Sequence, residues 1–514
     1  MTKIKFLEGE LWYGGVVIHA DKYPLSENDV YEFDTDINMS SNQFNPIFIS
    51  NKGRFIWAEN VGMIRFNKGE IEIEKDGVKV ETGGSTLKDA AIFAAKKYYP
   101  VDGTPIDLRA MRLPQYCSWV MFLWYQNQES ILEYARSIVN KGYKPGLFII
   151  DDTWQKAYGL WEFDHDRFPD PDAMMKELKE LGFLVSMWMC PYISMDVPKI
   201  NNDYPGIFKH IENDRIIMNA PYEPRVVRWW EGYSAQLDFK NESAIRWFNE
   251  RIKSLEERYG IAGVKLDGGN PAYLGKDYKD ASLQSTLFVE IVDNSLKEGR
   301  TCYKCAGKPI IQRLNDKAHL WKNKTVSEDE TYLGLESLLP GIMTQGLVGY
   351  YYGCPDMIGG GESKDFIDKS NLDKELIIRW CQASILMPMI QFSYDVWNHE
   401  EERVAECCKK AMDLREKLLP YIEDLAVRAS KTNEPIVRFM EYEFPSKEFR
   451  GMKDQFMLGD KYLVAPVLEK GVAEREVVFP EGKWKDIFDG QIYTKGRNIV
   501  PAPIDKLPVF ERID

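Results

Sequence analysis

Over residues 1–100 short apolar runs alternate with polar positions and are broken by Gly, Asn and Asp, as at 11–19, 46–50, 53–58 and 70–82. A period of two with turn residues between the runs predicts antiparallel strands, folded as a sandwich. Residues 87–98 carry a helical pattern, and 100–114 read as an irregular linker. From Gln115 the texture changes. Apolar runs at 116–124, 146–150, 184–190 and 261–266 alternate with amphipathic patterns at 130–141, 172–181 and 242–259. Strand–helix repetition predicts a parallel sheet, and eight such units close into a barrel. Helical patterns return at 374–387 and 400–428, and strand patterns follow at 456–467, 474–480, 484–493 and 509–512. The expected fold class is α/β: a (β/α)8 TIM barrel over 106–428, an N-terminal β-sandwich over 1–105 and a C-terminal β-sheet domain over 429–514.

In such a barrel functional groups sit just after the strands. Asp267 ends the run 261–266 and is followed by Gly268 and Gly269. Lys265, two positions earlier, points to the same side of the strand, and a cation there keeps a carboxylate ionised, as a nucleophile requires. A helix-capping Asp267 with Lys265 as its ion-pair partner reads equally well. Asp151 and Asp152 end the run 146–150, and Trp188 lies near the end of 184–190. The stretch 308–321 carries Arg313 and Asp316, and Asp356 precedes Met357, Ile358 and three glycines. Singly, each fits a cap or a loop ion pair. Several strand ends in one barrel, however, converge on one mouth. The charged stretch 322–330 reads as a solvated loop, or as a loop that carries an acid.

Composition narrows the partners. At 514 residues the chain exceeds a single core, and its 44% hydrophobic and 28% charged content is that of a globular protein. The aromatic share of 13%, with 14 Trp, serves the core or offers faces on which sugar rings stack. A net charge of −14 speaks against nucleic acid and against an anionic membrane. No run of about 18 apolar residues is present, and the eight Cys are scattered, which predicts a cytoplasmic protein with reduced, buried thiols. Cys302 and Cys305 stand alone at their spacing, and the five His form no ligand pair, so neither a metal nor another cofactor is expected.

Residues 454–467 (Asp-Gln-Phe-Met-Leu-Gly-Asp-Lys-Tyr-Leu-Val-Ala-Pro-Val) and 479–484 (Phe-Pro-Glu-Gly-Lys-Trp) carry a resemblance. With Arg167-Phe-Pro-Asp170, Pro340-Gly341 and Asp356-Met-Ile-Gly-Gly360, the chain resembles glycoside hydrolase family 31, the retaining α-glycosidases, from roughly residue 110 onward. The resemblance implies Asp267 as nucleophile, although Lys265-Leu-Asp-Gly-Gly-Asn270 replaces the family's tryptophan-x-aspartate-methionine strand end. That variant is similar to the branch containing α-galactosidases, and to the lysine-x-aspartate strand end of the related α-galactosidase clan. By its distance before Pro340 the implied acid/base is Asp329, flanked by Glu328 and Glu330, with Asp316 as fallback. The implied sugar-binding residues are Asp151, Asp152, Trp188, Lys265, Arg313, Trp321 and Asp356, with core packing an equal reading for Trp321. Ser393 stands where many members carry a sugar-contacting histidine, which turns the expectation away from ordinary α-glucosidases. The implied activity is exo-hydrolysis of a terminal α-linked hexose, galactose preferred, in a small-molecule glycoside or oligosaccharide. An α-glucosidase or transglycosylase of the same family, or a catalytically silent carbohydrate-binding relative, are the alternatives. A homo-oligomer is a further expectation.

Overall fold

The computed structural model describes residues 1–195, 197, 206–327 and 330–514. The chain divides into two compact units, one of residues 1–36, 43–112 and 306–514, the other of 37–42 and 113–305.

The first unit opens with two four-stranded antiparallel sheets. One orders Thr2–Lys5, Glu70–Ile73, Met63–Asn67 and Val30–Asp34; the other orders Trp12–Val16, Phe44–Ser50, Arg54–Trp57 and Glu81–Thr82. Alternation buries Ile64, Phe66, Ile71 and Ile73, as a strand period of two requires. The expected sandwich is present. The helix Leu87–Tyr98 begins at Thr86, whose side chain accepts from Asp89 N while Asp89 accepts from the Thr86 N–H. That reciprocal pair satisfies two donors that a helix start leaves open.

Eight strands form one parallel sheet. In chain order they are Gln115–Cys117, Leu147–Ile150, Leu184–Met189, Gly263–Leu266 and Lys297–Gly299 in the second unit, then Ile311–Arg313, Gly353–Cys354 and Gln391–Phe392 in the first. Their spatial order is seventh, sixth, fifth, fourth, third, second, first, eighth. A parallel bridge between Met357 and Gln391 joins the two ends of that order, as a barrel demands. Two expectations shift in detail. The run 116–124 is strand only to Cys117 and then turns helical at Trp119–Phe122. The fifth strand, Lys-Glu-Gly, has no apolar run to announce it.

The C-terminal sheet orders Val437–Phe439, Phe456–Leu458, Tyr462–Val464, Val509–Arg512, Glu474–Asp486 and Ile492–Pro501. The patterns at 474–480 and 484–493 are not two strands with a turn at Pro480. Residues 474–486 form one long strand whose register slips between Phe479 and Lys483; the turn comes after Asp486, and the rest of 484–493 runs into the next strand at Ile492. Pro480 lacks a backbone donor and Gly482 takes φ +111°, so the segment bulges without reversing direction. Met457, Phe479, Trp484 and Phe510 form its buried core.

Candidate active site

Asp267 follows the fourth barrel strand, which is buried along its whole length. Gly268 and Gly269 take φ +74° and +67°, a region that costs a side-chain-bearing residue energy. A Cβ on Gly268 would also lie 2.8 Å from the Tyr192 ring. This turn bends the Gly268 N–H back to Asp267 Oδ1 at 2.8 Å. Arg300, just past the fifth strand, donates to the same oxygen at 2.7 Å, and the Trp188 indole N–H approaches Oδ2 at 3.3 Å. Three donors, one of them a guanidinium, hold the carboxylate in one orientation and suit its charged form.

Lys265 lies two residues earlier, and its ammonium donates to Asp151 Oδ2 at 2.6 Å, with both side chains buried. The Cys117 thiol donates to the same Asp151 oxygen at 3.0 Å, and burial pushes that thiol well up. Beside this pair, Asp152 Oδ1 accepts from the Tyr158 hydroxyl at 2.8 Å and from Thr153 N at 2.6 Å, while Oδ2 is buried with no hydrogen-bond partner. Burial raises the Asp152 carboxyl to about 8; Tyr158 pulls the other way, and the charges of Glu231 and Asp151 add to the rise. Burial thus favours the protonated form of Asp152, the carboxyl that the resemblance assigns to sugar binding. The element Arg167-Phe-Pro-Asp170 shapes this loop. Arg167 donates to the Thr153 carbonyl, and Asp170 caps the helix Pro171–Glu180 by accepting from Ala173 N at 2.9 Å.

In the first unit Arg313, at the end of the sixth strand, donates to Asp316 Oδ1 at 2.5 Å and to Asp356 Oδ1 at 3.3 Å. Asp356 takes φ +90° and accepts from Lys317 N at 2.9 Å through Oδ2. A strained backbone at a strand end is a feature of functional sites. Burial and Asp316 push the Asp356 carboxyl up, against Arg313 and Lys317, and burial lowers the Lys317 ammonium. A Cβ on Gly361 would meet Asp316 Oδ1 at 2.9 Å and Asp356 Oδ1 at 3.0 Å, so the three-glycine loop is what lets the backbone close over this cluster. The Trp321 indole N–H reaches Asp373 Oδ2 at 3.0 Å, where Asp373 caps the helix Lys374–Ser384. Asp329 and Glu328 lie outside the described residues. Arg300 is the residue that sequence reasoning missed. Its only signal is its place after a fifth strand too short and too polar to recognise.

The model of the glycosyl hydrolases family 31 TIM-barrel domain matches residues 112–291 and 315–425, and that of the family's C-terminal domain matches 433–514. The chain belongs to glycoside hydrolase family 31. Within the family it is similar to the myogenesis-regulating glycosidase of Mus musculus, 30% identical over 444 residues, which is 83% of this chain and 60% of that protein. It is also similar to alpha-glucosidase 2 of Bacillus thermoamyloliquefaciens, 24% identical over 421 residues, 75% of this chain and 50% of that protein. The chain thus spans 50–60% of the length of these relatives. A glucose complex of a Flavobacterium johnsoniae GH31 dextranase superposes with a TM-score of 0.80 at 18% identity, covering 99% of this chain and 66% of that one, which establishes the shared fold.

Proposed function

We propose that this family 31 chain is a retaining exo-α-glycosidase with Asp267 as nucleophile. The observation that carries the reading is the triple hold on Asp267 by Arg300, Trp188 and Gly268 N, at the end of a buried barrel strand. Such a carboxylate is ionised, aimed and unable to swing away. It attacks the anomeric carbon and forms a glycosyl-enzyme ester, while a second carboxyl protonates the leaving oxygen and then activates water. We assign that second role to Asp329. The fallback is Asp316, whose Oδ1 accepts from the Arg313 guanidinium at 2.5 Å.

Lys265 and Asp151 present an ammonium–carboxylate pair two residues from the nucleophile, a match for adjacent sugar hydroxyls. With the absence of a histidine at Ser393, this pair supports terminal α-galactose as the preferred sugar. The similarity to alpha-glucosidase 2 supports α-glucose as the second reading. Turnover of nitrophenyl α-galactoside, α-glucoside and α-xyloside by the wild type, Asp267→Ala and Asp329→Ala tests both levels. Asp267→Ala is expected to lose activity by a factor of about 10⁴ or more, and near-native turnover would remove it as nucleophile. Azide should restore part of the activity of Asp329→Ala; if it rescues Asp316→Ala instead, the acid/base is Asp316. Faster hydrolysis of the glucoside than of the galactoside gives the sugar to the second reading.

A further inference from the structure

The parallel register pairs Leu266 of the fourth barrel strand with Gly299 of the fifth. The next residue is Asp267 on one strand and Arg300 on the other, and Arg300 Nε reaches Asp267 Oδ1 at 2.7 Å. One position further on, the Thr301 hydroxyl lies 2.7 Å from Asn270 Oδ1, with both residues buried. Two neighbouring side chains of one loop thus grip two points of the other, one on each side of Gly268 and Gly269. Those glycines are the free joint of the turn, so a hold on Asp267 alone would leave the far side of the joint to swing.

A third segment closes this clasp. Residues 37–42 lie in the chain between the sandwich strands Val30–Asp34 and Phe44–Ser50 but count with the second unit. The Ser41 carbonyl accepts from Arg300 Nη1 at 3.3 Å and lies 3.0 Å from Thr301 Oγ1. The hydroxyl has one proton to share between Ser41 and Asn270, whereas the guanidinium brings a proton of its own to each partner. The segment is also tied to itself. Ser40 N donates to Asn38 Oδ1 at 2.9 Å, and the Ser40 hydroxyl donates to the Asn42 carbonyl at 2.9 Å and accepts from Asn42 N at 3.2 Å. Ser41 is therefore bracketed by bonded, buried neighbours, and its carbonyl is a fixed point. An arginine held only at Nε keeps much of its rotamer freedom; a second hold at Nη1 sets the plane of the guanidinium.

Building on the assignment of Asp267 as nucleophile, we infer that Thr301 is a positioning residue for the reaction and that the segment 37–42, through the Ser41 carbonyl, belongs to the apparatus that aims Asp267. Both act through Arg300 and the glycine turn. Thr301 fixes the turn at Asn270, Ser41 fixes Arg300, and together they set the direction from which the carboxylate meets the anomeric carbon. Loss of either costs rate rather than sugar affinity, because attack is more sensitive to small displacements than binding is.

The test reads nucleophilic attack by itself. With 5-fluoro-α-galactosyl fluoride and its glucosyl counterpart, the carboxylate bonds to the anomeric carbon, fluoride leaves, and mass spectrometry follows the ester on Asp267. Thr301→Val, which keeps the shape and removes the hydroxyl, should slow ester formation about tenfold, and Thr301→Ser should restore most of it. Ser40→Ala, which unties the segment without touching the clasp, should slow it about threefold. Thermal midpoints and the affinities for galactose and glucose should stay at their wild-type values. A native rate in Thr301→Val removes Thr301 from the inference, and a native rate in Ser40→Ala removes the segment 37–42. A loss of rate that tracks a fall in thermal midpoint or in sugar affinity overturns both, since it marks a merely structural role. A crystal structure of Thr301→Val needs no turnover: a displaced Asn270 and a lengthened Arg300–Asp267 contact support the clasp, and a superimposable turn overturns it. Should the wild type form no ester on Asp267, the nucleophile reading fails while this geometry still judges the clasp.

Discussion

Charge placement at single residues decides the chemistry of the second unit. Asp151 and Asp152 are adjacent, yet one is paired with Lys265 and the other is buried among groups that raise it to about 8. The folded value of Asp152 lies above its ordinary 3.8, so the native state keeps a proton that the unfolded chain gives up. Its contribution to stability is full below pH 4 and is lost as pH rises through 8. Thermal midpoints of the wild type should therefore fall more steeply between these limits than those of Asp152→Asn, which carries the neutral form permanently. Parallel curves would show that Asp152 is ionised in the fold. Arg300 gives a second residue-scale expectation. Arg300→Met should lower kcat about 10²-fold by releasing Asp267 from its aimed position, and Arg300→Lys should recover part of it. Wild-type kcat in Arg300→Met would show that Asp267 is held well enough by its other donors.

Elements set the precision with which those residues are presented. The strand Gly263–Leu266 is rigid because it is buried and paired on both sides, by Leu184–Met189 and by Lys297–Gly299. Its turn is the delicate part. Gly268→Ala would have to hold φ +74° with a Cβ 2.8 Å from Tyr192, so the turn must shift and Asp267 with it. Activity should drop about 10²-fold, with a far smaller change at Gly77, whose added Cβ meets nothing within 4 Å. Equal effects at the two glycines would detach the turn from the chemistry. Long amphipathic helices were legible from their period: Leu87–Tyr98, Gln128–Asn140, Pro171–Glu180 and Glu242–Tyr259 fall within two residues of their sequence patterns. The strands of two or three residues were not, because so short a segment carries no period to read.

At the scale of the whole molecule, the family motifs separate into chemistry and scaffolding. Residues 454–467, which made the resemblance visible, build the hairpin Phe456–Leu458 and Tyr462–Val464 far along the chain from any barrel strand end. Its turn is held by Asp460, which accepts from the Tyr421 hydroxyl at 2.8 Å and from Arg428 at 3.1 Å. That motif serves the fold. Trp484→Ala, which empties part of the C-terminal core, should destabilise the protein by about 3–5 kcal/mol in urea unfolding. A loss below about 1 kcal/mol would mean that this core repacks freely. Among the described residues no helix is long and apolar enough to cross a membrane.

Periodicity and turn chemistry alone, being local properties of the chain, determined the sandwich, the strand–helix alternation and the C-terminal sheet. They also placed Asp151, Asp152, Asp267 and Asp356 just after strands, since a carboxylate next to a glycine or at the close of an apolar run marks its own position, and Lys265 within the strand before Asp267. Partnership was decided only in three dimensions. Lys265 stands two residues from Asp267 but bonds Asp151, 114 positions away, and Asp267 takes its guanidinium from Arg300, 33 positions away. Sequence spacing sets which side of a strand a charge faces, and parallel pairing with the neighbouring strands then sets which opposite charge it meets there.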